Sequence, residues 1–309
     1  MKKLILFSSI SILQFSIYNL QSSIVHAQVV EEWVAIYSGS NECNNCFEEA
    51  TDVAVDGSGN VYVTGYTIDS VTGSNFTTIR YNSSGQQIWI GIAAGEAKAM
   101  ALDDSGNVYV TGHNWNGIST GVDFVTIKYN SNGQQQWVAI YDSSNEYAND
   151  IIVDDSFNVY VTGYGSGTGS NVNYVTVKYN SSGQQQWVAI YNGIGNLWDY
   201  PQEIALDDSG NVYVTGWSRN SNSNEDYVTI KYNSSGQQQW VNIYSALNND
   251  YARAIAVYNS DNVYVTGQSY HGLITHTNFV TIKYNSNGQQ QWIDVYDGIG
   301  DSGDNATDI

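Results

Sequence analysis

The sequence predicts an all-β protein, a β-propeller of four-stranded antiparallel blades with five complete repeats and an incomplete terminal blade. Three observations predict it. The first is a period: Trp33, Trp89, Trp137, Trp187, Trp240 and Trp292 follow one another at steps of 56, 48, 50, 53 and 52 residues, the mark of a repeat architecture. The second is the content of each period, four runs rich in Val, Ile, Thr and Tyr separated by Gly, Asn, Ser and Asp, which is strand-and-turn chemistry. The third is the lack of any long helical period, together with a single proline, Pro201, read as falling between runs. Four short strands in roughly 50 residues are the arithmetic of a propeller blade; a sandwich domain would need about 100 residues.

Taken in chain order, residues 1–27 read as a signal peptide. Lys2 and Lys3 open it, an apolar stretch runs from Leu4 to Tyr18, and Val25-His26-Ala27 offers a small-residue exit after Ala27. Ser8, Ser9, Ser11, Gln14 and Ser16 interrupt the stretch, which falls short of the ~20 apolar residues of a membrane span. The expectation is export, to the medium, the cell surface or the periplasm, with no span in the mature chain and a propeller domain over 28–309. Next, "WVAIY" (33–37) repeats a fourth run without three before it. Cys43 and Cys46 then form a C-x-x-C that, in an exported chain, suggests a local disulfide; no second pair of ligands accompanies them for zinc.

Blade two shows the unit: "AMALDD" (99–104), "NVYVTGH" (107–113), "DFVTIKYN" (123–130) and "QQWVAIY" (135–141). The turns "DDSGN" and "NSSGQ" place Gly where positive φ is needed. In "WVAIY" the Trp, Ala and Tyr point one way and the Val and Ile the other, so both faces are expected to pack on neighbouring blades, with the Trp in the seam. At the end "NATDI" (305–309) aligns with "EATDV" (49–53) and begins a further blade. Three readings follow: a fragment of a longer protein, closure as five blades with frayed ends, or an open arc whose blade edges self-associate.

The segment "TDVAVDGSGNVYVTGYT…FTTIRYNSSGQQIW" and its four copies resemble the SBBP-type β-propeller repeat of exported bacterial proteins, and more loosely the strand pair of NHL repeats. That resemblance covers Trp33 to Ile309. It implies a propeller with an extracellular or envelope location, and no catalytic residues.

Comparison of the blades separates constant from variable segments. The first-to-second and third-to-fourth turns barely change and share one face. The opposite face carries loops that differ in every blade, such as "TIDSVTGSN" (67–75), "NWNGISTGV" (114–122) and "NGIGNLWDYPQE" (192–203), and variable loops on a constant scaffold are where binding resides. Tyr66, His113, Tyr164, Trp217 and Gln268 follow "VTG", and Trp115, Trp198, Tyr200, Tyr251 and Tyr270 lie nearby. Rings among Asn, Ser and Asp suit a sugar or a peptide. The candidate ligand residues are therefore Tyr66, His113, Trp115, Tyr164, Trp198, Tyr200, Trp217 and Tyr270.

The net charge of −20 repels phosphate backbones and makes nucleic acid a poor partner. No catalytic constellation or metal cluster is evident. Asp52, Asp150, Glu203 and Asp308 begin first strands and read as solvated ends along the axis, with a cation as the lesser reading. "DDSGN" lacks the spacing and the bidentate Glu of a calcium loop, so calcium is a minor expectation and no cofactor is expected. Arg80, Lys128, Lys178, Lys231 and Lys283 share one blade position and suggest a structural pairing with a blade carboxylate. The reading is an exported binding module for a glycan, peptide or surface protein. The alternatives are a propeller hydrolase or lyase at the channel mouth, and a structural or adhesin segment of a larger surface protein.

Overall fold

The computed structural model describes residues 32–38, 47–69, 73–115, 121–166, 171–259, 262–270, 277–298 and 303–309. The expected signal peptide and the Cys43–Cys46 pair lie outside the described residues. The chain divides into units 1–36 and 37–309. Of the first, residues 32–36 carry no strand ladder, and Val34 and Ile36 are exposed.

The second unit is all-β over its described residues. Blade 1 comprises β1 (Phe47–Val55), β2 (Val61–Asp69), β3 (Gly73–Tyr81) and β4 (Gln87–Ala94). Blade 2 comprises β5 (Glu96–Leu102), β6 (Val108–Asn114), β7 (Asp123–Tyr129) and β8 (Gln135–Tyr141). Blade 3 follows with β9 (Glu146–Val153), β10 (Val159–Ser166), β11 (Val172–Tyr179) and β12 (Gln185–Tyr191). Blade 4 holds β13 (Asp199–Leu206), β14 (Val212–Arg219), β15 (Glu225–Tyr232) and β16 (Gln238–Tyr244). Blade 5 holds β17 (Asp250–Tyr258), β18 (Asn262–Tyr270), β19 (Thr277–Asn285) and β20 (Gln290–Tyr296). Each sheet is an antiparallel meander in chain order, the blades pack in sequence order, and the five sheets do not close into a ring.

The repeated thirteen residues make the seams. Trp89, Trp137, Trp187 and Trp240 each donate Nε1–H to a Ser carbonyl in the next blade's third-to-fourth turn, at 3.1 Å in every case. Each ring covers the glycine of that turn, Gly133, Gly183, Gly236 and Gly288, where a Cβ would lie 2.6–2.8 Å from the indole. A tyrosine closes each seam: Tyr141, Tyr191 and Tyr244 neighbour Tyr179, Tyr232 and Tyr284 of the following blade, and Tyr37 stands in the same relation to Tyr81. Thr64, Thr111, Thr162, Thr215 and Thr266 on second strands pair with third-strand threonines inside the blades.

The expectation that both faces of the fourth strand are covered is corrected. Ile140 and Ile190 are 57% and 58% exposed while Ala139 and Ala189 are buried. As the outermost strand twists away from the preceding blade, its second face opens to solvent. Pro201 is also corrected: it lies within β13, at the register shift between Pro201 and Glu203. The shift leaves Gln202 unpaired and Pro201 directly beside it, so the proline sits where the ladder is already interrupted.

That bulge recurs in every first strand and explains the repeated "VTG". It pushes a backbone carbonyl over the glycine of the second strand. A Cβ on Gly65 or Gly112 would stand 1.9 Å from the oxygen of Glu49 or Glu96, and one on Gly163, 2.1 Å from that of Tyr147. The residue after this glycine is thereby fixed on the variable face.

On the constant face Asp103 accepts from the Ser105 and Asn107 amides, the Asn107 side chain and the Tyr109 hydroxyl. Both of its oxygens are engaged, so the turn needs no ion to explain its aspartate. Asp56, Asp154 and Asp207 repeat the arrangement. The shared cation position is met by a ring before a carboxylate. Lys128, Lys178 and Lys231 stand 4.8–4.9 Å over Tyr109, Tyr160 and Tyr213, and among the described residues Arg80 and Lys231 come within 4.0 Å of a turn aspartate, at 4.0 and 3.9 Å.

Candidate functional site

The first strand delivers a tyrosine just before the bulge, and the second strand delivers the residue after "VTG". On paired antiparallel strands these meet: Tyr147 opposes Tyr164, Tyr200 opposes Trp217, and Tyr251 opposes Gln268. Because adjacent blades bring one pair beside the next, the rings form a continuous row along the variable face.

The row begins with Trp115 edge-on to His113 at 4.6 Å between centroids, and continues to Tyr147 at 4.9 Å. Tyr147 stacks on Tyr164 at 5.1 Å; Tyr164 meets Tyr200 and Tyr200 meets Trp217, both at 4.6 Å. Trp217 reaches Tyr251 at 5.5 Å, and Tyr251 reaches Tyr270 at 6.5 Å. All these separations lie in the range of favourable aromatic pairs.

Of the candidates read from the sequence, His113, Trp115, Tyr164, Tyr200, Trp217 and Tyr270 are brought together here. Two are not. Tyr66 instead packs on Phe47 at 6.1 Å and donates to Glu49 at 2.6 Å, and Trp198 stands off the row under the Arg219 guanidinium at 4.6 Å. Tyr147 escaped the sequence reading, although it occupies the same repeat position as Tyr200 and Tyr251. Trp115 and Trp198 are 48% and 44% exposed, and Tyr147, Tyr164, Tyr200, Trp217, Tyr251 and Tyr270 are half-buried.

Burial raises the phenols of Tyr164, Tyr200 and Tyr251 in the row above their ordinary value. The Glu49 hydrogen bond, with burial, pushes the Tyr66 phenol up to about 12, and burial pushes Tyr164 to about 12. Burial, helped by Lys98, lowers His113 to about 4. His113 is 3% exposed, its Nδ1 has no partner, and its Nε2 is 3.5 Å from Glu96.

Beside the row lies an open axial basin of about 500 Å³, lined in part by Asn149, Asp150, Gln202, Glu203, Arg253 and Asp308. The expectation that the axial carboxylates are solvated strand ends is corrected for Asp52, Asp150 and Glu203, which fasten the blades together, while Asp308 is exposed and accepts from its neighbour Ile309. Asp52 accepts from the Met100 amide at 2.8 Å, Asp150 from Ile204 at 2.9 Å, and Glu203 from Ile255 at 2.5 Å, each donor belonging to the next blade. Burial raises Asp150 to about 6 and Glu203 to about 7. Two blades lack the carboxylate, having Ala99 and Ala254, and in both the preceding bulge residue is a cation, Lys98 or Arg253. In the other three it is neutral: Thr51, Asn149 or Gln202.

The variable face also brings Asp123, Asp142 and Glu146 within 4.8 Å of one another. Glu146 is taken up by the Ser143 and Ser144 amides, at 3.1 and 2.6 Å, and the cluster braces its loop as Asp199 and Asp250 brace theirs.

The profile of the SBBP family, a beta-propeller repeat, matches residues 49–70 and 186–222. Those two segments are similar to the SBBP β-propeller repeat. Solved structures with a similar fold include a polysaccharide lyase, an ulvan lyase with a glucuronate-containing saccharide bound, at TM-score 0.55 and 11% identity over 84% of this chain and 72% of that one. A second ulvan lyase structure gives TM-score 0.53 and 12% identity over 83% and 72%. A gluconolactonase from Xanthomonas campestris aligns at TM-score 0.41 and 14% identity, over 70% of this chain and 68% of that one. No curated protein sequence matches the chain. At these identities the likeness extends to the propeller fold of the SBBP repeats and not to a site.

Proposed function

We propose that this SBBP-repeat propeller is an exported binding module whose ligand is an extended saccharide chain laid along the aromatic row. The observation that carries the reading is the continuity of the row across blades 2 to 5. Half-exposed rings in an unbroken line offer repeated apolar platforms to sugar faces, while the Asn- and Ser-rich loops beside them supply donors and acceptors for hydroxyls. The fold likeness to a polysaccharide lyase is compatible with this reading. The alternative of a propeller hydrolase or lyase draws no support from His113, whose imidazole is buried.

The test is affinity electrophoresis and titration calorimetry against a panel of soluble polysaccharides, with Trp115→Ala and Trp217→Ala as belt variants and Ile190→Ala on the outer strand as the control. Each belt variant is expected to weaken Kd at least about tenfold, as loss of an aromatic anchor does, while the control binds normally. Binding indifferent to both tryptophans overturns the reading. Shortened or unsaturated chains released from the polymer replace it with the enzymatic alternative.

A further inference from the structure

Eight of the ten basic residues lie beyond Lys3. Five of them, Arg80, Lys128, Lys178, Lys231 and Lys283, stand over second-strand tyrosines on the constant face and belong to the scaffold. The other three, Lys98, Arg219 and Arg253, all lie against rings of the variable face: Tyr66 at 5.5 Å, Trp198 at 4.6 Å and Tyr251 at 5.6 Å. Arg219 is consumed by Glu225, at 2.7 Å. Lys98 and Arg253 are half-buried and, among the described residues, make no ion pair within 4.0 Å. In a chain with 30 acidic residues, two half-buried cations without a carboxylate partner call for an explanation.

Their placement supplies one. Both occupy the first-strand bulge position, in the two blades where the adjoining carboxylate is alanine, and Arg253 lines the axial basin. Each cation thus stands next to the position where the other blades carry an acid. Arg253 lines the basin beside Asn149 and Gln202, whose side-chain nitrogens donate to the Pro201 carbonyl, and its own contact to Gln202 Oε1 is long, at 3.4 Å. Of the carboxylates lining the basin, Asp308 is exposed, while Asp150 and Glu203 point toward the amides of the next blade. Burial also holds both of those acids well above the ordinary carboxylate range, which weakens their repulsion of an anion.

We propose that the saccharide is acidic, and that Lys98 and Arg253 receive carboxylate or sulfate groups of a chain whose sugar faces lie on the aromatic row. This rests on the saccharide reading of that row. A cation over an aromatic face keeps its outward donors available for an anion, and a guanidinium holds a planar carboxylate through two parallel bonds.

The test compares polymers that differ only in charge: polygalacturonate with its methyl ester, and a sulfated galactan with its desulfated form. Kd is measured for the wild type, for the Lys98→Gln/Arg253→Gln double variant, and for Trp217→Ala. In at least one pair the acidic polymer is expected to bind about tenfold more tightly, a preference that fades as salt rises. The double variant should abolish that preference, with the Kd for the neutral partner and the melting temperature unchanged. Equal binding of acidic and neutral partners, or a preference that survives the double substitution, overturns the acidic assignment and leaves the saccharide reading intact. Failure of every polymer to bind, or binding unaffected by Trp217→Ala, overturns the saccharide reading itself.

Discussion

Glu203→Gln should stabilise the protein at alkaline pH and leave it unchanged in acid. The Glu203 carboxylate accepts a bond from Ile255 N–H at 2.5 Å, yet burial first, and then the charges of Asp150 and Asp308, raise it from 4.5 to about 7. In the unfolded chain the group ionises at its ordinary value. Between those two values unfolding releases a proton, so the folded state loses stability as pH rises from about 4.5 to about 7. Each pKa unit corresponds to about 1.4 kcal/mol. The full shift would give about 3 kcal/mol, and partial solvent access brings this to about 1–3 kcal/mol. Glutamine keeps a carbonyl to accept from Ile255 and removes the charge. Thermal and urea unfolding at pH 8 should therefore show Tm raised by several degrees, with the gain gone by pH 5, where the native carboxyl is already protonated. A destabilised variant at pH 8, or the same offset at both pH values, would refute the reasoning and show that the ionised group is a net support for the seam.

Two further perturbations test the scaffold. Phe157 has φ of 61° at the turn position where blades 1, 2 and 4 place Gly59, Gly106 and Gly210; Phe157→Gly should relieve about 1 kcal/mol of left-handed strain in urea titrations, and a net loss would mean that the ring beneath Lys128 outweighs it. Trp187→Ala, which vacates the seam over Gly236, should cost about 3–5 kcal/mol by the same measurement. Trp292→Ala on β20, 42% exposed, should cost less than about 1 kcal/mol, and equal losses would contradict the seam account.

Much of the architecture was legible because it is written five times. The Trp period, the "VTG" glycine and the two glycine turns each answer a local demand: a ring over the next blade's turn, a carbonyl pressed by a bulge, a positive φ. Local demands of this kind show in the residue type itself. Part of the candidate site was legible for the same reason, since His113, Tyr164 and Trp217 follow the glycine that fixes their direction. Tyr147 was equally readable from its alignment with Tyr200 and Tyr251. Trp198 and Tyr66 misled, because an aromatic residue in a variable loop does not reveal which ring it will meet.

The sequence by itself determined the strand count, the meander order, the turn chemistry and the face on which variation is gathered, because these depend on the alternation and spacing of neighbouring residues. The tertiary structure alone decided three things. It turned Asp52, Asp150 and Glu203 from apparent strand ends into links between blades, exposed the second face of the fourth strand, and joined rings of successive blades, distant in sequence, into one row. Each depends on how far one blade twists and tilts against the next, a geometry set by packing across the seam that no single repeat contains.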